Sequence, residues 1–217
     1  MYILISATPS PYARKVRIAL QEKGIPFTLQ TEVPWDSTTQ TPQYNPLEKL
    51  PVLIPVCSNS PDDAVYESHF ILEWLEVKHP SPSLLPSSVD DKLFAKKVEV
   101  VCDGVCDALV LALFENQREP EKQSAPWEAR QMRKVAGGLK ALSTWVSNRK
   151  GQFLIGDSLT LADLAAGSVL GYLAVRWPDY DWQTTYPELK GYWQMLEKRE
   201  SFANTVPSPQ TMKDKIV

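Results

Sequence analysis

Cysteine and histidine are scarce in this chain: its 217 residues include three cysteines and two histidines. Cys57, Cys102 and Cys106 are too few and too unevenly placed for a disulfide framework, and His69 and His79 add no zinc-binding spacing, so no metal is expected. Cys102 and Cys106 stand four apart on one helical face. They fall in the apolar pattern Val98, Val101, Cys102, Val105, Leu109 and read as core rather than as a redox pair. No apolar run approaches ~18 residues, and the start lacks the basic stretch, apolar stretch and cleavage site of a secretory leader. A cytoplasmic protein that does not engage a membrane is therefore expected. Charge is equally unconcentrated: no block of five like charges occurs and the formal net charge is −3. Nucleic acid is not an expected partner.

What is present begins with an apolar strand candidate, Tyr2-Ile3-Leu4-Ile5-Ser6-Ala7, running into Ser10-Pro11-Tyr12-Ala13-Arg14-Lys15-Val16-Arg17. A hydroxyl residue followed by proline is a helix start, with Ser10 as N-cap and Pro11 where a missing N–H costs nothing. The helix stops at Gly24, with Pro26 beyond. Unpaired N–H groups and the helix dipole converge on Ser10. Arg14, Lys15 and Arg17 oppose that dipole, so the segment reads either as an anion-binding helix start or as a capped helix with a solvated basic face.

Alternation over residues 27–33 predicts a half-buried strand pairing parallel with the first. Residues 34–48, rich in proline and polar side chains, predict mostly loop. Val52-Leu53-Ile54-Pro55-Val56 is a third strand, residues 58–63 a turn, and Ala64-Val65-Tyr66 a fourth strand closing a hairpin. Ser68 is expected to cap a helix carrying Phe70, Ile71, Trp74 and Leu75. Three prolines and four serines then mark a linker at 80–88. Beyond it, helices are predicted over 89–118, 126–149, 161–176 and 187–199. The expected organisation is a βαβ-ββα domain over 1–79, a linker over 80–88 and an all-helical domain over 89–217.

Four segments in this order resemble the cytosolic glutathione transferases, in the group that carries a serine at the first helix start. They are Ser10-Pro11-Tyr12, Asn45-Pro46-Leu47-Glu48-Lys49-Leu50-Pro51-Val52-Leu53, Glu67-Ser68 and Leu154-Ile155-Gly156-Asp157-Ser158-Leu159-Thr160-Leu161-Ala162-Asp163. Asp103-Gly104-Val105-Cys106-Asp107-Ala108, Glu121-Lys122-Gln123-Ser124 and Arg199-Glu200-Ser201-Phe202 add likeness to small, mostly bacterial members. The resemblance implies a thioredoxin-like first domain, an all-α second domain, a cis-proline at Pro51, a homodimer and glutathione as co-substrate. One departure is visible: Glu48 stands where glycine is usual, placing a negative charge beside the expected ligand.

The resemblance also implies roles. Leu50 offers backbone groups to the cysteinyl part of glutathione, as an added strand would. Glu67 meets the γ-glutamyl ammonium, Ser68 and its helix start meet that group's carboxylate, and Lys49 meets the glycine carboxylate. Ser10 stabilises the thiolate for attack on an electrophilic small molecule, by addition, substitution or isomerisation. Thr8 is a second hydroxyl nearby. Serine, unlike cysteine, forms no mixed disulfide with glutathione. Pro9, Trp35, Cys106, Val110, Phe114 and Trp177 are the candidate walls of an electrophile pocket between Ser10 and the long helix. Asp103 is either a cross-subunit contact to the γ-glutamyl ammonium or a solvated acid. Asp163 completes a capping box with Thr160 and reads as a folding residue. Two other functions use the same features: a non-catalytic carrier or interaction module, and a glutathione-dependent peroxidase.

Overall fold

A sheet of four short strands organises the first half of the chain. The structure, a computed structural model, describes residues 1–57 and 60–216, so Ser58 and Asn59 of the expected turn lie outside the described residues. Strands β1 (Tyr2–Ser6), β2 (Phe27–Thr31), β3 (Val52–Pro55) and β4 (Val65–Tyr66) lie in the order β2-β1-β3-β4. β1 pairs parallel with β2 through α1 (Pro11–Glu22), and antiparallel with β3, which forms a hairpin with β4. Helix α2 (Ser68–Lys78) follows. The core holds Leu4 and Ile5 of β1, Val52 and Leu53 of β3, and Val16, Ile18 and Leu20 of α1. This is the thioredoxin-like arrangement that the resemblance implied.

The end of α1 shows how the sequence sets a boundary. The Ile25 N–H donates to the Leu20 carbonyl at 2.9 Å and the Gly24 N–H to that of Gln21 at 3.0 Å, with Gly24 at φ 63°. That double return requires a left-handed residue, which glycine supplies without steric cost.

Two expectations need correction. β2 is not half-buried: Thr28 to Thr31 are exposed, because β2 is an edge strand. Alternation marks which face a strand can bury, but a neighbour must supply the cover. Nor is the basic face of α1 solvated. Arg14 and Lys15 are each 1% exposed. Arg14 Nη2 lies 2.7 and 2.8 Å from the carboxylate oxygens of Glu197 and donates to the Phe202 carbonyl at 3.2 Å, while its guanidinium carbon lies over the Phe202 ring, 5.8 Å from the ring centre. Arg17 donates to the Asn204 carbonyl at 3.2 Å. Arg14 and Arg17 thus hold a distant piece of their own chain rather than waiting for an anion.

That piece belongs with the first unit. Residues Met1–Leu84 and Glu197–Asp214 form one compact unit, and Leu85–Leu196 with Lys215–Val217 the other. The linker as far as Leu84 joins the first unit too: the buried Lys23 meets Glu76 at 2.7 Å and the carbonyls of His79 and Pro82 at 2.8 Å each.

The second unit is helical: α3 (Val89–Asn116), α4 (Ala125–Ser147), α5 (Leu161–Arg176), the four-residue α6 (Trp182–Thr185) and α7 (Pro187–Glu197), whose last residue reaches the first unit. A last short helix, α8 (Glu200–Ala203), lies within the returning segment. Every residue of α5 from Leu161 to Leu173 is buried, as befits a central helix that is apolar on all sides. α4 approaches α3 closely at Gly138, where an added Cβ would stand 2.2 Å from Val105 Cγ2. The start of α5 is built on Asp163. Its buried carboxylate accepts from the Thr160 N–H at 2.7 Å, the Thr160 hydroxyl at 2.9 Å, the Leu154 N–H at 2.8 Å and the Tyr192 hydroxyl. The capping box expected at Thr160 and Asp163 is present. Among the described residues no helix is long and apolar enough to cross a membrane.

Candidate active site

The sheet register brings the sequence-predicted residues of the first unit to one end. β1 and β2 run out at that end, β3 runs in, and β4 runs out into α2. Ile5 pairs with Val52, and Val52 with Tyr66. Continued by one residue, both registers set Pro51 level with Ser6 and Glu67; continued by two, they set Leu50 level with Ala7 and Ser68. The turn bearing Ser10, the Leu50-Pro51 segment, the Glu67-Ser68 pair and the loop after β2 therefore share one rim.

Ser10 sits in extended backbone as the N-cap of α1, and its Oγ accepts from the Ala13 N–H at 3.2 Å. A hydroxyl has one hydrogen and two lone pairs, so capping leaves the O–H available as a donor. Thr8, by contrast, spends its hydroxyl on the Ser208 carbonyl at 3.1 Å.

The peptide bond between Leu50 and Pro51 is cis, as the resemblance implied. The loop before it is built on Asn45, 1% exposed, which the sequence reading passed over. Asn45 Oδ1 accepts from the Leu47 N–H at 2.9 Å, its Nδ2 donates to the Lys49 carbonyl at 2.6 Å, and its own carbonyl accepts from the Glu48 N–H at 2.9 Å. An asparagine that bonds its own backbone two residues on is a turn former, and the Asn45-Pro46 pair was its signal. Glu48 has φ 56°, which explains why glycine suits this position. Lys49 and Glu48 are exposed.

At α2 the structure corrects the cap. Glu67, at φ 71°, is the N-cap, its Oε2 accepting from the His69 N–H at 3.1 Å. Ser68 is the first helical residue, 1% exposed, and its hydroxyl has no hydrogen-bond partner among the described residues. Both side chains suit a cap, and only the backbone turn decided between them. A buried hydroxyl without a partner is unfavourable by about 1–3 kcal/mol, so its position at a helix start on the site rim points to a guest.

The loop after β2 carries Trp35, 39% exposed, and is organised by Glu32. Burial pushes the Glu32 carboxyl up, but bonds from the Thr39 hydroxyl at 2.6 Å, Gln30, the Gln40 N–H and the Thr41 hydroxyl outweigh it and hold the pKa below the ordinary range. Pro9, in the Ser10 turn, is buried.

In the second unit Asp103, Cys106, Val110 and Phe114 follow one face of α3, with Cys106 buried and the others half-buried. Trp177 caps the C-terminus of α5, its N–H donating to the Leu173 carbonyl at 2.9 Å. Its buried indole Nε1 has no hydrogen-bond partner among the described residues.

Two family models match the chain, "Glutathione S-transferase, N-terminal domain" over residues 9–78 and "Glutathione S-transferase, C-terminal domain" over residues 101–200. The uncharacterized GST-like protein YibF of Escherichia coli is 32% identical over 204 residues, 94% of this chain and 98% of that protein. Among solved structures, a glutathione S-transferase of Methylobacterium radiotolerans in complex with glutathione sulfonate shares 55% identity at a TM-score of 0.94, over 100% of this chain and 99% of its own. One of Methylobacillus flagellatus with glutathione bound shares 35% at 0.86, over 95% and 100%. The chain therefore belongs to the glutathione S-transferase family of enzymes.

Proposed function

We propose that this enzyme binds glutathione along the rim and uses Ser10 to stabilise its thiolate for attack on an electrophilic small molecule. The observation that carries the reading is the buried, unpartnered Ser68 hydroxyl at the start of α2, two register steps beyond the Val52–Tyr66 pair and level with Leu50. A carboxylate there gains a hydroxyl donor and the first N–H groups of a helix. Leu50 then pairs with the cysteinyl backbone, Glu67 takes the ammonium through the oxygen not used in capping, and Lys49 takes the glycine carboxylate.

Ser10 would meet the sulfur. A thiol with pKa ≈ 8.5 is only a few per cent ionised at neutral pH. A hydrogen bond to a charged acceptor contributes ~1.5–3 kcal/mol and a helix start ~0.3–2, against about 1.4 kcal/mol per pKa unit. A depression of one to two units, raising the thiolate population about tenfold to thirtyfold, lies within that range. Remaining acceleration comes from holding the electrophile beside the sulfur. Addition, substitution and isomerisation share this first step.

A homodimer is part of the proposal. In the first unit Phe70 and Val77, seven apart on α2, are 52% and 78% exposed. In the second, Val89, Leu93 and Val100 share a face of α3 and are all exposed. A second copy would cover such stripes.

The test is the ultraviolet absorbance of bound glutathione thiolate against pH. A pKa at least one unit below that of the free tripeptide, restored in Ser10→Ala, is the expected outcome; an unshifted pKa in the natural protein would refute the role of Ser10.

A further inference from the structure

Beyond α8 the described residues form no further helix or strand, yet from Ser208 to Asp214 the chain is bonded along the site rim. The Ser208 N–H donates to the Thr8 carbonyl at 3.4 Å while the Ser208 carbonyl accepts from the Thr8 hydroxyl at 3.1 Å. Gln210 Nε2 donates to the Glu32 carbonyl at 3.2 Å. Asp36 Oδ1 accepts from the N–H groups of Lys213 at 2.8 Å and Asp214 at 3.2 Å, and Asp214 Oδ2 accepts in return from the Ser37 N–H at 2.6 Å.

The anchor points are not scattered. Thr8 lies inside the turn closed by the Ser10 N–H on the Ala7 carbonyl at 3.1 Å, two residues before the proposed thiolate donor. Asp36 and Ser37 flank Trp35. Asp36 is 6% exposed although it sits in a loop. A buried carboxylate needs donors, and two of those it finds are strap N–H groups.

We propose that this C-terminal strap is a positioning element, and Asp36 a positioning residue, for the glutathione chemistry: the strap braces the Ser10 turn and the Trp35 loop so that the serine oxygen stays where the sulfur will be. The proposal rests on the thiolate reading above. A donor misplaced by more than about 0.5 Å loses much of its effect, so a turn in a mobile connection needs outside support. Among the described residues, the strap's hydrogen bonds go to Thr8, Glu32, Asp36 and Ser37, and none goes to Leu50, Glu67 or Ser68. The strap therefore governs thiolate pKa and leaves glutathione affinity almost untouched.

Full-length Asp36→Ala, Asp36→Asn and Asp214→Ala provide the test. Asparagine keeps the Oδ1 acceptor and should rescue what alanine loses. Independently of glutathione, Asp36→Ala is expected to speed amide exchange at Ser10 and Thr39, whose own bonds to Ala7 and Asp36 carbonyls are retained, by at least tenfold. With glutathione, the thiolate pKa should rise by about one unit, roughly a three- to eightfold loss of thiolate at neutral pH, while Kd changes less than threefold. Asp214→Ala should act in the same direction and carries the test if Asp36→Ala does not fold. Unchanged exchange and unchanged thiolate pKa in the alanine variants would overturn the proposal, as would an asparagine variant no better than alanine. An unshifted pKa in the natural protein would sink the thiolate reading and this proposal with it, and is distinguishable because it needs no variant.

Discussion

Glu197 grips Arg14 across 183 positions of sequence, fastening the helix capped by Ser10 to the returning end of the chain. Arg14 is 1% exposed, so Glu197→Gln leaves a buried guanidinium without its counter-charge, at a cost of about 3 kcal/mol. Urea unfolding should show that loss. The double variant Arg14→Met/Glu197→Leu should recover much of it, because removing both charges also removes both desolvation costs.

Ser68→Ala separates binding from stability. The hydroxyl is buried without a partner, so its removal should leave the melting temperature unchanged or raise it slightly. Glutathione affinity should nevertheless fall about tenfold, matching one hydrogen bond to a charged group. Calorimetric titration beside a thermal scan reads both; a fall in stability with unchanged affinity would make Ser68 a packing residue.

Glu48→Gly tests the cost of an unusual residue. A side chain at φ 56° is strained by roughly 1–2 kcal/mol, while glycine loses about 0.5–1 kcal/mol more chain entropy on folding, so the two nearly cancel. The melting temperature should therefore move by no more than about 3 °C. Affinity for the doubly carboxylated tripeptide should rise about threefold at low salt, and less at high salt, where an exposed charge is screened.

Asp163 should matter for folding alone. Asp163→Asn turns an NH2 group toward donors that now meet a carboxylate, and should cost roughly 2–4 kcal/mol. Burial pushes the Asp163 carboxyl up, against the bonds from Tyr192, Leu154 and Thr160. With the folded pKa above the unfolded one, the carboxyl's contribution to stability is fully present below the unfolded value and is lost as pH rises through the folded value. Denaturant midpoints from pH 4 to 8 should therefore show the gap between natural protein and variant narrowing as pH rises.

Legibility followed the range of the interaction. Gly24, the Ser10-Pro11 start and the Thr160 and Asp163 box are local devices, and each was readable because its partners lie within a few residues. Helices α3, α4 and α5 were legible from period, with ends off by no more than about two residues. The cover of β2 and the fate of Arg14 and Arg17 were not, since both depend on a strand or segment that sequence distance hides. Ser68 was expected to cap α2 and does not: Glu67 and Ser68 are both competent, and the choice lies in a dihedral angle. Asn45 was quoted within its motif without a role, because its work is holding the loop rather than touching a ligand.

The return of residues 197–214 to the first unit sets an order of events during synthesis. Arg14 is added to the growing chain 183 residues before Glu197, roughly 10–40 s at ordinary elongation rates. For that time a cation that ends up buried has no counter-charge, and the Thr8 turn has no strap. The half of the enzyme made first is thus the half finished last, and a nascent chain carrying the whole sheet is still one without a settled Ser10.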